Sequence, residues 1–143
     1  MSVVVLDASV AAKWFLPAAD ETLVDEAFLL LRRYTNAEIQ FLLPDLFWAG
    51  LANVFWKAIR QGRLAKPRAE VALASLQARR IPTVSRLSIV DLGLAIASAF
   101  DRSVYDALYV ALAVHSKGQF ITADEGLANA LAAHLPVKWL GGM

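Results

Sequence analysis

Four consecutive apolar residues, Val3, Val4, Val5 and Leu6, run straight into Asp7 and then into the helix-forming stretch Ala8, Ser9, Val10 and Ala11. A β-branched run with no polar alternation suits a strand buried on both faces, as central strands of parallel sheets are. The pattern returns near the other end, where Phe120, Ile121 and Thr122 lead through Ala123 to Asp124 and a second helical stretch. Two such units call for strands joined by helices through right-handed crossovers. The expected fold class is α/β, with three α/β/α layers around a central, mostly parallel sheet.

The intervening sequence fits that scheme. Expected strands cover residues 3–6, 39–43, 81–84, 119–122 and 137–140, and Pro82 sends the third to a sheet edge because proline cannot donate to a ladder. Expected helices begin at Ser9 and stop at Pro17, begin at a cap on Asp20 and reach about residue 34, and then cover 44–61, 67–80, 88–100, 104–116 and 124–133. No repeat, low-complexity segment or linker breaks the 143 residues, so residues 1–143 are expected to form a single domain able to bury a core.

Composition removes several chemistries. The chain has no cysteine, which excludes disulfides, thiolate metal sites and thiol nucleophiles and fits a reducing cytoplasm. No basic segment of a secretory leader precedes the first apolar run. The longest charge-free apolar stretch near the middle, residues 46–56, is far shorter than the about 20 residues of a membrane span. A cytoplasmic protein without a membrane part is expected. Hydrophobic residues still make up 58% of the chain, with mean hydropathy +0.50 and only 19% charged residues, so a partner is expected to cover part of the surface. A net charge of +1 supplies no global field for nucleic acid.

Three aspartates stand where helices open: Asp7, Asp124, and Asp106 within Tyr105-Asp106-Ala107-Leu108-Tyr109. Each alone reads as well as a helix cap or a complement to a helix dipole. Two of them follow expected central strands, and open α/β sheets place ligands at the carboxyl ends of their strands. Convergent carboxylates suit Mg²⁺ or Mn²⁺, which prefer oxygen ligands and keep several waters. His115 and His134 have no acidic partner at ligand spacing, and no nucleophile elbow or phosphate-binding glycine loop is present.

Four blocks resemble those of PIN-domain ribonucleases, specifically the VapC-type toxins of toxin–antitoxin pairs. They are Leu6-Asp7-Ala8-Ser9; Pro44-Asp45-Leu46 followed by Leu51-Ala52-Asn53-Val54; Tyr105-Asp106-Ala107-Leu108-Tyr109; and Thr122-Ala123-Asp124. The resemblance implies a three-layer PIN fold, a Mg²⁺- or Mn²⁺-dependent endoribonuclease, a homodimer and a cognate antitoxin. By position it implies that Asp7 and Asp106 are the principal metal ligands and that Asp124 is a further acid of the catalytic site. Ser9, Asn53 and Thr122 would support them.

One block departs from the pattern. A glutamate usually stands three residues before the asparagine, and here that residue is Gly50, an unfilled acidic position. A mid-helix glycine costs roughly 1 kcal/mol relative to alanine, and its i, i+3 spacing puts position 50 on the face of Asn53. Three accounts compete: close packing of the helix, natural loss of the glutamate, or a deliberate Glu-to-Gly change that lets a toxic nuclease be produced. The third is favoured because the other blocks are intact.

Two further features touch function. Lys57, Arg60, Arg63, Lys66 and Arg68 cluster at the end of the same helix and the turn after it. Such cations are ordinary at a helix C-terminus, and the functional reading is that Lys57, Arg60 and Arg63 hold RNA phosphates. The helix also carries two apolar stripes, Phe47, Leu51, Val54 and Ala58 beside Trp48, Ala52, Phe55 and Ile59, which calls for a neighbour on each side. The rival to a nuclease is a PIN-fold module that binds RNA or antitoxin without cutting. A phosphatase using Asp7 as nucleophile is weaker, since Ser9 stands where a second aspartate is needed.

Overall fold

The computed structural model describes residues 2–143. Its strands are β1 (Ser2–Leu6), β2 (Ile39–Pro44), β3 (Thr83–Val84), β4 (Gln119–Thr122) and β5 (Val137–Trp139). They form one sheet in the order β3-β2-β1-β4-β5, with every pairing among the described residues parallel. The connecting helices are α1 (Ala8–Ala12), α2 (Val24–Thr35), α3 (Leu46–Arg60), α4 (Lys66–Ala78), α5 (Val90–Phe100), α6 (Val104–Ser116) and α7 (Glu125–Leu131). The α/β architecture expected from the sequence is therefore present.

β1 lies at the centre, and its Val4, Val5 and Leu6 are buried between β2 and β4. From β1 the chain steps outward to β2 and β3, then returns across the sheet to β4 and β5. Right-handed crossovers in opposite directions put α1 to α4 on one face and α5 to α7 on the other. The strand order reverses between β1 and β4, so the carboxyl ends of these two strands frame the crevice where such sheets bind ligands. α6 crosses β1, β4 and β2 and is buried without interruption from Ala107 through Ala113. Its end demands a glycine by contact: a Cβ on Gly118 would sit 2.7 Å from the Val3 carbonyl oxygen.

Three local expectations change. α1 ends at Ala12 rather than at Pro17, because the chain tightens into i−3 bonded turns from Lys13 to Phe15. Asp20 does not cap α2; it lies in a 3-10 turn (Ala18–Asp20), and the helix starts at Val24 after a left-handed Leu23. Asp20 instead meets Arg63 at 3.4 Å, a long-range charge pairing that a local cap reading does not foresee. The core stripe of α3 is Phe47, Leu51, Phe55 and Ala58 rather than one containing Val54. Phe55 turns inward to meet Phe15 edge-on at 6.0 Å between ring centroids. The opposite side keeps Trp56 half exposed.

Candidate metal centre

Asp7 directly follows β1, and Thr122 is the last residue of its neighbour β4. The Thr122 hydroxyl donates to Asp7 Oδ2 at 2.8 Å, and the Ser9 backbone N–H donates to Oδ1 at 3.2 Å. Asp7 is thus also the N-cap of α1, as its local sequence allows. Thr122 is fully buried, and its oxygen in turn accepts the Asp124 N–H at 3.1 Å. This chain of bonds ties the ends of the two central strands together across the crevice.

Asp124 is exposed and caps α7, its Oδ1 accepting the Leu127 N–H at 3.0 Å. Asp106 differs: Ser103 caps α6 by accepting the Asp106 N–H at 3.1 Å. The Asp106 carboxylate is therefore not needed as a cap, and its charge reaches Asp7. Burial pushes the Asp7 carboxyl above the usual carboxylate range, the bonds from Thr122 and Ser9 pull it back, and the Asp106 charge pushes it up again.

Tyr109, which sequence reasoning passed over, belongs to the same group. Burial lifts its hydroxyl above the usual phenol range, and the negative charges of Asp7 and Asp106 add to the rise. It stacks on Phe120 with centroids 5.1 Å apart. The signal was its i, i+3 spacing from Asp106 on α6, which puts both on one helix face.

Position 50 opens toward these residues. A Cβ on Gly50 would lie 3.5 Å from Ala8 Cβ and 3.9 Å from the Tyr109 hydroxyl, both ordinary van der Waals contacts. Close packing therefore does not require the glycine. Asn53, three residues on, is exposed.

Among the described residues no three acidic or histidine side chains come together at metal-holding range. The acids that interact most directly are the pair Asp7 and Asp106. A pair still fits a hydrated divalent cation, since Mg²⁺ is commonly held by one or two carboxylates and retains water. The raised Asp7 supports that fit: its charge is disfavoured by burial and by a like charge, the condition a cation relieves.

Of the basic residues, Lys57 and Arg60 are exposed, with the Arg60 guanidinium 4.8 Å above the Trp56 ring. Arg63 turns back into the protein, meeting Glu21 at 3.0 Å, Asp20 at 3.4 Å and Gln61 at 3.1 Å. No helix among the described residues is long and apolar enough to cross a membrane.

A parallel sheet whose central strands carry a half-buried aspartate and its buried threonine partner at their carboxyl ends defines an α/β protein with acids at its switch point. The chain belongs to the PIN domain family, whose model matches residues 4–131. Its fold is similar to that of a toxin–antitoxin complex from Klebsiella pneumoniae, at TM-score 0.61 and 15% identity, covering 94% of this chain and 95% of that one. It is also similar to a crystal structure of a protein from Pyrobaculum aerophilum, at TM-score 0.66 and 18% identity, covering 99% of this chain and 85% of that one. No curated protein matches the chain.

Proposed function

We propose that this chain is a Mg²⁺- or Mn²⁺-dependent endoribonuclease of the VapC type, a cytoplasmic toxin held in check by a cognate antitoxin and impaired by Gly50. The observation that supports the reading is the charge coupling of Asp7 and Asp106 to each other and to Tyr109, beside which a Cβ at position 50 would lie. Membership of the PIN family and the likeness in fold to one member of a toxin–antitoxin complex support it.

Asp7 and Asp106 would hold the cation, with Asp124 as a further acid at the crevice. A bound divalent ion supplies a polarised water and stabilises the leaving oxygen of a phosphodiester. The protein's own residues set the frame for this. Thr122 and Ser9 fix both oxygens of Asp7, and the buried Tyr109 and Ala8 exclude solvent behind it. Lys57 and Arg60, exposed at the end of α3, would hold RNA phosphates and contribute affinity rather than sequence choice. Gly50 leaves out one acid, and Asp124, held as the cap of α7, does not complete a group of three with Asp7 and Asp106.

The same shortage of acids favours a second reading, a PIN-fold module that binds RNA or antitoxin without cutting. Cleavage of a mixed RNA in Mn²⁺ separates the two, using the parent chain, Gly50→Glu, and Gly50→Glu combined with Asp106→Asn. The nuclease reading expects strong cleavage from the Gly50→Glu protein alone. Equal cleavage by the last two proteins would expose a contaminant and leave the binding module.

A further inference from the structure

A cavity of about 250 Å³ lies between α1 and α3, beside the acidic crevice, and its charged lining is Lys13, Lys57, Arg63 and Glu21. Ser9, whose backbone N–H holds Asp7, lines it too, so the cavity begins two residues from the principal acid. Lys13 is the unusual member. Its side chain is only 7% exposed, and lysine is rarely buried so far without a reason. Its sole ion pair among the described residues is with Glu21 at 3.3 Å. Glu21, 16% exposed, also receives Arg63 at 3.0 Å. One carboxylate thus sits between two cations in a cavity whose third cation, Lys57, has no ion pair among the described residues.

We propose that this cavity is a subsite for a phosphate of single-stranded RNA next to the bond being cut, with Lys13 as its buried anchor and Glu21 as an internal stand-in for the phosphate. The proposal rests on the nuclease reading. Lys13 and Arg63 share Glu21, Asp20 takes a second bond from Arg63, and Lys57 stands beside them unpaired among the described residues, so three cations against two carboxylates leave one excess positive charge in a partly desolvated space, where an anion is held more strongly than at the surface. A phosphate, with its several acceptor oxygens, can take bonds from Lys13, Lys57 and Arg63 together. Glu21 sits on the segment between α1 and α2 rather than on a helix, so it can yield without unpacking the core. Its exchange for RNA would make binding weaker than the cation count alone suggests and would disfavour partners too short to reach the cavity.

The test is binding of a labelled mixed-sequence single-stranded RNA, measured by anisotropy in EDTA over a series of salt concentrations. Lys13→Met should weaken binding by about tenfold, the worth of one charge-assisted bond. It should also flatten the plot of log affinity against log salt by about 0.7, the share of one single-strand phosphate. Glu21→Gln should bind RNA more tightly than the parent. Lys57→Gln, an exposed change that leaves the Lys13 pair intact, repeats the slope test should Lys13→Met fold poorly. Unchanged slopes in Lys13→Met and Lys57→Gln, or weaker binding by Glu21→Gln, would overturn the subsite while parental RNA binding still stands. A parent that binds no RNA would remove both the subsite and the nuclease reading. Polyglutamate that binds the parent as tightly as RNA, with the same losses, would assign the cavity to an acidic protein segment instead.

Discussion

Replacing Gly50 with alanine separates packing from chemistry at the position where the proposed reading places a lost glutamate. Gly50 lies inside α3, where glycine is less favourable than alanine by about 1 kcal/mol because it has more backbone freedom to lose. The added methyl would meet Ala8 Cβ at 3.5 Å and the Tyr109 hydroxyl at 3.9 Å, so it gains contact without overlap. Gly50→Ala should therefore stabilise the metal-free protein by about 1 kcal/mol. For 143 residues that corresponds to a rise in Tm of about 3 °C. Gly50→Glu gains the same propensity but brings a third carboxylate toward Asp7 and Asp106, and in EDTA it should melt below Gly50→Ala. Mn²⁺ should reverse that order, raising the Tm of the glutamate variant well beyond the rise in the parent or the alanine variant. Thermal melts of the three proteins with EDTA or with Mn²⁺ give the result. A Gly50→Ala protein less stable than the parent would show that the glycine serves packing. An equal Mn²⁺ response in all three would show that position 50 does not face the metal.

Asp7 has a folded pKa above its unfolded value, so its contribution is present at low pH and lost as pH rises through the interval between the two. Asp7→Asn should then melt higher than the parent at pH 7 in EDTA, and calorimetry should find its Mn²⁺ binding gone. Thr122→Val removes a buried hydroxyl that bonds both Asp7 and the Asp124 N–H, and urea titration should show a loss of about 1–3 kcal/mol. Leu87, Leu92 and Leu94 expose apolar surface on α5 and the turn before it. If the homodimer forms there, Leu94→Arg should shift light scattering to the monomer mass without changing the melt, whereas an unchanged mass would move the interface elsewhere.

What the sequence revealed and what it hid follow from the range of the forces involved. β1 and β4 were legible because a strand buried on both faces has no polar alternation, and their aspartates were legible because the chain ends each strand at a polar residue. The end of α6 before Gly118 was equally local, whereas Pro17 did not mark the end of α1, which stops at Ala12. Asp20 misled because its carboxylate answers to Arg63, 43 residues away, and no local rule weighs a distant guanidinium against a backbone N–H. Arg63 misled for the same reason, read as a free cation when Glu21 and Asp20 already hold it. Tyr109 and Lys13 illustrate a second limit. Each looked like an ordinary helical residue, and each gains meaning only from a neighbour on another element: the Asp7 carboxylate for one and Glu21 for the other. The proposed acids Asp7 and Asp106 could be named from their positions along the chain, but the groups that tune and flank them come from the packing of α1, α3 and α6 over one crevice. A sequence motif therefore identifies where the charge of such a site is placed, while the residues that decide how strongly that charge is felt must be found in three dimensions.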